Sequence, residues 1–248
     1  MELYYNFLAF WILFGALTFL YLLFSKVKVP YGRHQNNKWG GSIDNSWGWF
    51  WMELPALIVM PLLVIIGPVE KNFYILFILL LWGFHYFYRS LIFPFKLNTK
   101  GKKIPILIVC NGFIFNLING GFVGYELGFI SESTFSLNAH FIIGITLFIL
   151  GAYINRTSDY KLISLRSKSK DYQIPEGGLF NYISCPNHFG EIIEWFGFAI
   201  ILWNLSALSF VLWTAYNLIP RALNHHQWYK QYFANYPTRR KAVFPFLF

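Results

Sequence analysis

The chain has 248 residues, of which 56% are hydrophobic and only 12% charged, and it carries a net charge of +9. A soluble domain carries about 25% charged residues, so the composition excludes an ordinary water-soluble enzyme and identifies an integral membrane protein. In that setting basic residues report first on loop orientation, and nucleic acid is not an expected partner.

Crossing a bilayer takes about 20 apolar residues in a helix. The first apolar run, Tyr4–Phe24, begins almost at Met1 and lacks a basic leader, so it reads as a span and not a cleaved signal. Six further runs follow: Trp47–Ile66, Phe73–Phe95, Ile104–Val123, Leu137–Ile154, Phe189–Trp203 and Leu205–Ile219. Pro55 and Pro61 should kink the second, because proline removes a backbone donor inside a helix. The last two are short and share the tight turn Asn204-Leu205-Ser206, which predicts a helical hairpin. Asn119-Gly120-Gly121 and Glu176-Gly177-Gly178 read as turns or close-packing points. Cys110 and Cys185 do not make a disulfide framework. No repeat or long linker divides the chain, so residues 1–248 are expected to form one all-α membrane domain, a seven-helix bundle.

The charges support this count. Lys26, Lys28, Arg33 and Lys38 follow the first span, and Lys96, Lys100, Lys102 and Lys103 the third. Arg156, Lys161, Arg166, Lys168 and Lys170 follow the fifth, and Arg221, Lys230, Arg239, Arg240 and Lys241 the seventh. With seven spans, 18 of the 20 basic residues fall on one side. Basic loops stay in the cytoplasm, which predicts an external N-terminus and a cytoplasmic C-terminus.

Ionisable groups inside membrane-grade sequence are costly and usually functional. Glu53 lies beside Pro55 in the second span. His85, Tyr86 and Arg89 share a face at the end of the third, through their i, i+3 and i, i+4 spacings. Asn187, Glu191 and Glu194 form a stripe at i, i+4, i+7, and Arg221, His225 and Tyr229 form another at i, i+4, i+8. If the last hairpin folds back, the two stripes converge. Such a cluster suits a ligand bearing amide and phosphate, because arginine meets phosphate oxygens with two parallel hydrogen bonds. A metal trio of His188, Glu191 and Glu194 is the weaker reading. No Gly-x-Gly-x-x-Gly follows a strand, so a dinucleotide would not sit in a Rossmann domain.

These motifs resemble the steroid 5α-reductase family. The similarity runs through Gly177-Gly178-Leu179-Phe180, Asn187-His188-Phe189-Gly190-Glu191-Ile192-Ile193-Glu194-Trp195, Arg221-Ala222, His225-His226 with Trp228-Tyr229, and Tyr236-Pro237 to Ala242. Upstream it includes Glu53-Leu54-Pro55, His85-Tyr86-Phe87-x-Arg89, Asn119-Gly120 and Asn155-x-x-Ser158-Asp159-Tyr160. The resemblance implies a seven-helix membrane fold with cytoplasmic NADPH-binding loops that reduces a steroid enone. It implies that Glu53 and Tyr86 hold the carbonyl oxygen. Asn119, Asn155, Asp159, Arg166, Asn187, Glu191, Arg221, His225 and Tyr229 would hold NADPH, with Arg89 near its phosphates. It also implies a division into a first span and loop (1–46), substrate-side helices (47–136) and mainly cofactor-binding helices and loops (137–248). Two positions depart from the family: Gln173 stands where arginine usually precedes Ile-Pro, and Met52 where steroid enzymes often carry glutamine.

The expected activity is NADPH-dependent reduction of the Δ4 double bond of a 3-oxo-steroid or similar lipid enone. A polyprenol or enoyl-lipid reductase of the same superfamily, a membrane methyltransferase using S-adenosylmethionine, and a sterol or lipid carrier are the alternatives. The expected partners are a lipid-soluble substrate and membrane lipids, with no obligate protein partner. The host membrane is the bacterial inner membrane or the endoplasmic reticulum. The topology is testable by cysteine-accessibility labelling at Asn98 and Ser133, which should react from opposite faces; reaction from one face would break the seven-span arrangement.

Overall fold

A computed structural model describes residues 1–25, 39–97, 99, 101–131, 137–168 and 171–247. Lys26, Lys28, Arg33, Lys38, Asn98, Lys100, Ser133 and Lys170 therefore lie outside the described residues. The chain divides into two compact units, Met1–Val27 with Leu137–Phe248, and Lys28–Ser136.

The second of these is built on two long helices, α2 (Asn45–Ile66) and α5 (Ile106–Tyr125), each introduced by a three-residue strand. Strands β1 (Ser42–Asp44) and β2 (Lys103–Pro105) pair antiparallel, Ile43 opposite Ile104. This short ribbon sets the register of the two helices that follow it. Asp44 caps α2 by accepting a hydrogen bond from the Ser46 N–H at 2.8 Å. Small residues let α5 approach α2. A Cβ on Gly124 would lie 2.8 Å from the Met60 carbonyl oxygen, and one on Gly112 would lie 2.8 Å from Met52 Cγ. Gly120 thus belongs to a close-packed helix surface, whereas Gly177 and Gly178 do form a turn, with φ of 83° and 58°.

Helix α3 (Phe73–Phe87) runs into a π-helical turn, Tyr88–Ile92, and then α4 (Phe93–Lys96). Pro94, two residues beyond that turn, has no N–H to continue the α pattern. Just ahead of it the Phe93 N–H reaches back five residues to the Tyr88 carbonyl. A second π-helical turn, Glu126–Ile130, ends the α5 rod.

In the other unit, α6 (Ala139–Lys168) packs along α7 (Pro186–Leu202), and α8 (Leu205–Tyr232) returns beside α7. The hairpin turn is local chemistry. Trp203 ends α7 in the left-handed region at φ 48°, and Asn204 caps α8 by accepting from the Ala207 N–H at 2.9 Å. Helix α1 (Glu2–Phe24) lies on α8 through Trp11 against Trp213, with ring centroids 4.6 Å apart.

Among the described residues, five rods are long and apolar enough to cross a membrane: Glu2–Phe24, Asn45–Ile66, Phe73–Lys96, Ile106–Ile130 and Ala139–Lys168. The chain is an all-α membrane protein, apart from its one short ribbon. The two shortest expected spans stand outside this set for physical reasons. Helix α7 has 17 residues, about 25 Å at 1.5 Å per residue, against a hydrocarbon core of about 30 Å. Helix α8 is long, but its second half is polar. Helices α6 and α8 also outrun their apolar stretches, reaching Lys168 and Tyr232 instead of Ile154 and Ile219. Hydropathy locates the membrane-grade part of a helix and not its end.

The contact between α6 and α7 rests on four glycines. A Cβ on Gly151 would strike the Glu194 amide nitrogen and lie 2.6 Å from the Gly190 carbonyl. One on Gly190 would strike the Asn155 nitrogen, and one on Gly197 would lie 2.5 Å from the Gly144 carbonyl. The obstacles include backbone atoms, which cannot swing aside. We expect Gly151→Ala to destabilise the protein by about 1–3 kcal/mol, the usual cost of overpacking, in thermal melts in detergent. Gly121→Ala, where a Cβ meets nothing within 4 Å, is the control and should be neutral or stabilising.

Candidate active site

The close approach of α6 and α7 places four polar residues in register. Asn155 and Asp159 stand one turn apart on α6, and Asn187 and Glu191 one turn apart on α7. The Asn155 amide donates from Nδ2 to the Asn187 carbonyl at 3.0 Å and to Glu191 Oε2 at 3.2 Å. The Asn187 amide donates in return from Nδ2 to Asp159 Oδ1 at 3.1 Å. The rungs are largely shielded from solvent, Asn155 being 1% exposed and Asp159 3%. The side-chain oxygen of Asn155, Oδ1, is buried with no hydrogen-bond partner in this arrangement. A buried acceptor in that state costs about 1–3 kcal/mol, so the cluster is suited to an incoming donor.

Helix α8 supplies the third wall of this unit's cluster. The His225 ring lies 5.8 Å from that of His188, the residue after Asn187, so the hairpin brings α8 beside the start of α7. Arg221 and Tyr229 lie one turn to either side of His225. Arg166, near the end of α6, donates from Nη2 to Tyr172 Oη at 2.9 Å and lies 4.5 Å from the centre of that ring. Tyr172 rests edge-on against Trp228. Among the described residues no group of three His, Cys, Asp or Glu could hold a metal ion.

The Lys28–Ser136 unit carries a different cluster. Glu53 Oε1 lies 3.6 Å from Arg89 Nη2, and both side chains are almost fully buried. The π-helical turn carries Arg89, whose guanidinium sits 4.7 Å from the Phe93 ring centre and 5.5 Å from that of Trp49. Tyr86, 4% exposed, packs against Trp82 and His85. Asn116 on α5 bridges to α2, donating from Nδ2 to the Met52 carbonyl at 2.7 Å and to Glu53 Oε2 at 3.4 Å. Trp82 Nε1 donates to the Ala56 carbonyl at 2.8 Å. Both acceptor carbonyls lie along the stretch of α2 that Pro55 and Pro61 interrupt.

A model of the 3-oxo-5-alpha-steroid 4-dehydrogenase family matches residues 102–248. The steroid 5-alpha-reductase DET2 of Arabidopsis thaliana is 38% identical over 92% of this chain and 90% of its own. DET2 of Solanum lycopersicum is 36% identical over 98% and 97%, and the 3-oxo-5-alpha-steroid 4-dehydrogenase 2 of Sus scrofa 40% identical over 81% and 80%. The chain belongs to this family. It is therefore an enzyme of the oxidoreductase class, acting on a carbon–carbon bond.

For a reductase of this family, the expected site residues fall into the two clusters unevenly. Asn155, Asp159, Asn187 and Glu191 meet directly, with His225 alongside. Asn119 lies in the Lys28–Ser136 unit, buried, its amide donating to the Phe115 carbonyl at 2.8 Å. Arg89, expected near cofactor phosphates, has Glu53 as a neighbour. Met52, at the position where the family's glutamine was expected, is buried with Ile104 and Val109.

Sequence reasoning passed over Asn116. The signal was present, since a lone amide in the apolar run Phe113–Ile118 needs a partner. Asn116→Leu leaves the Met52 carbonyl and one Glu53 oxygen without this donor. We expect it to lower stability by about 1–3 kcal/mol, read as a reduced melting temperature; an unchanged melt would remove Asn116 from the network.

Proposed function

We propose that this enzyme reduces the Δ4 double bond of a 3-oxo-steroid, or of a similarly shaped lipid enone, with NADPH as reductant. The relatives' names support the steroid, and the buried Glu53–Arg89 pair, with Tyr86 three residues before Arg89 on the same rod, is the observation that carries the chemistry. In the proposed topology the N-terminus is external and the basic loops and the cofactor face the cytoplasm.

The α6–α7–α8 cluster has the donor set that NADPH needs. The amides and carboxylates of Asn155, Asp159, Asn187 and Glu191 suit a carboxamide and ribose hydroxyls, and the buried Asn155 Oδ1 accepts a donor. Arg221 and Arg166 suit phosphate oxygens, while His225 and Tyr229 add hydrogen-bond donors. When bound, NADPH supplies a hydride for the β-carbon of the enone.

The protein's task is then electrostatic. As the β-carbon gains a hydride, negative charge moves to the carbonyl oxygen as an enolate. Tyr86 donates a hydrogen bond to that oxygen, and Glu53 does the same when it carries a proton. A single such donor lowers the barrier by about 3 kcal/mol. The α-carbon takes its proton afterwards.

Two measurements separate the roles. Arg221→Ala should weaken NADPH binding by about 1.5 kcal/mol or more, the size of a hydrogen bond to a charged group. Glu53→Ala and Tyr86→Phe should each lose about 100-fold or more in single-turnover hydride transfer from deuterated NADPH, the scale of a lost oxyanion donor, with cofactor affinity retained. Glu53→Gln keeps a donor and should fall between. Hydride transfer at the wild-type rate in Glu53→Ala would place carbonyl activation elsewhere.

A further inference from the structure

A buried polar hub lies beside the proposed cofactor cluster, within the same unit, and takes no part in the chemistry above. At its centre is Ser184, just ahead of α7. Ser184 Oγ lies 2.6 Å from His226 Nδ1 on α8 and 2.6 Å from Tyr236 Oη in the C-terminal segment, and donates to the Lys241 carbonyl at 3.1 Å. One assignment satisfies all three contacts: the hydroxyl gives its proton to Lys241 and accepts from the Tyr236 hydroxyl and the His226 Nδ1–H.

The hub ties three chain segments together. The Ser184 N–H donates to the Lys241 carbonyl at 2.9 Å, and the Cys185 N–H to the Ala242 carbonyl at 3.1 Å. Arg240 clamps the far side, donating from Nη1 to the Pro175 carbonyl at 2.9 Å and lying 5.3 Å from the centre of the Tyr236 ring. Most telling, the Tyr236 ring stacks on Tyr229, centroids 5.3 Å apart and planes 10° from parallel. Tyr229 and His225 belong to the proposed cofactor stripe, and Asn187 follows Ser184 by three residues. Whatever holds Ser184, His226 and Tyr236 together therefore sets the α8 stripe relative to the start of α7.

The hub is built to stay uncharged. Burial first, then the nearby Lys230 and Lys241, hold His226 below its usual value. Burial raises the Tyr236 phenol, against the opposing pull of Ser184 and Arg240.

We infer that Ser184, His226 and Tyr236 are positioning residues for the nicotinamide cofactor, the C-terminal segment Tyr236–Val243 acting as the strap that holds Tyr229 and Asn187 in register. This rests on the reading that Asn187, His225 and Tyr229 hold NADPH. The test uses the full-length protein and measures NADPH affinity by fluorescence titration, the NADPH-induced shift in melting temperature, and the split between KM for NADPH and kcat. Tyr236→Phe removes only the hydroxyl and keeps the ring stack. We expect it and Ser184→Ala each to weaken NADPH binding at least 10-fold and raise KM for NADPH more than they lower kcat. The double variant should be little worse than either alone, and Ser184→Thr should restore most of the affinity. Wild-type affinity in both single variants would overturn the proposal. Equal weakening in Ser184→Thr and Ser184→Ala, with melting temperatures lowered alike and no separate loss of cofactor shift, would also overturn it, as a general folding effect. Wild-type protein that fails to bind NADPH at all would instead sink the cofactor reading beneath it.

Discussion

The backbone contact between α6 and α7 is the constraint on which the proposed cofactor cluster depends. Gly144, Gly151, Gly190 and Gly197 remove the side chains that would hold the helices apart. In an apolar solvent no hydrophobic force draws helices together, so close packing and hydrogen bonds must do it. The glycines permit the approach, and the Asn155–Asn187–Asp159 rungs use it. The two features are complementary: the glycines remove bulk and the amides give the pairing its direction.

The other unit solves a related problem with proline. Pro55 and Pro61 each leave α2 short of a backbone donor, and donors from neighbouring helices serve carbonyls nearby, Asn116 reaching Met52 and Trp82 reaching Ala56. Those two bonds pin α2 to α5 and to α3. They also hold Glu53, in the turn between them, beside Arg89. Rigidity of this kind is what the proposed carbonyl-activating role of Glu53 requires, because it costs no reorganisation during reaction.

Much of this was legible in the sequence. Apolar runs located every rod, and the i, i+4 spacings of Asn187 with Glu191 and Arg221 with His225 put each pair on one face of its helix. Gly177 and Gly178 were legible only as turn or close-packing residues, and their positive φ values settle the turn. What escaped depended on tertiary partners. Nothing local says that Gly151 faces Gly190, since the same residues also occur where a turn is needed. The extra length of α6 and α8 escaped because polar helix continues on hydrogen bonding after hydropathy falls. Arg89 was assigned by resemblance to phosphate, and its neighbours Trp49 and Glu53 come from α2, which its own surrounding sequence does not reveal.

The π-helical turn at Tyr88–Ile92 has a consequence for how this rod tolerates change. A π turn holds one residue more than the α turn it replaces, so everything after it is rotated by about 100° relative to an uninterrupted helix of 3.6 residues per turn. Loss of any one residue between Tyr88 and Ile92 would restore the regular spiral. It would swing the Phe93 ring away from the guanidinium it now faces. A chain shortened there would keep its hydrophobicity and its length across the bilayer. What would go is the aromatic seat of the arginine. Length at this point is a coordinate of the site, and alignments that place a gap here describe a differently built pocket.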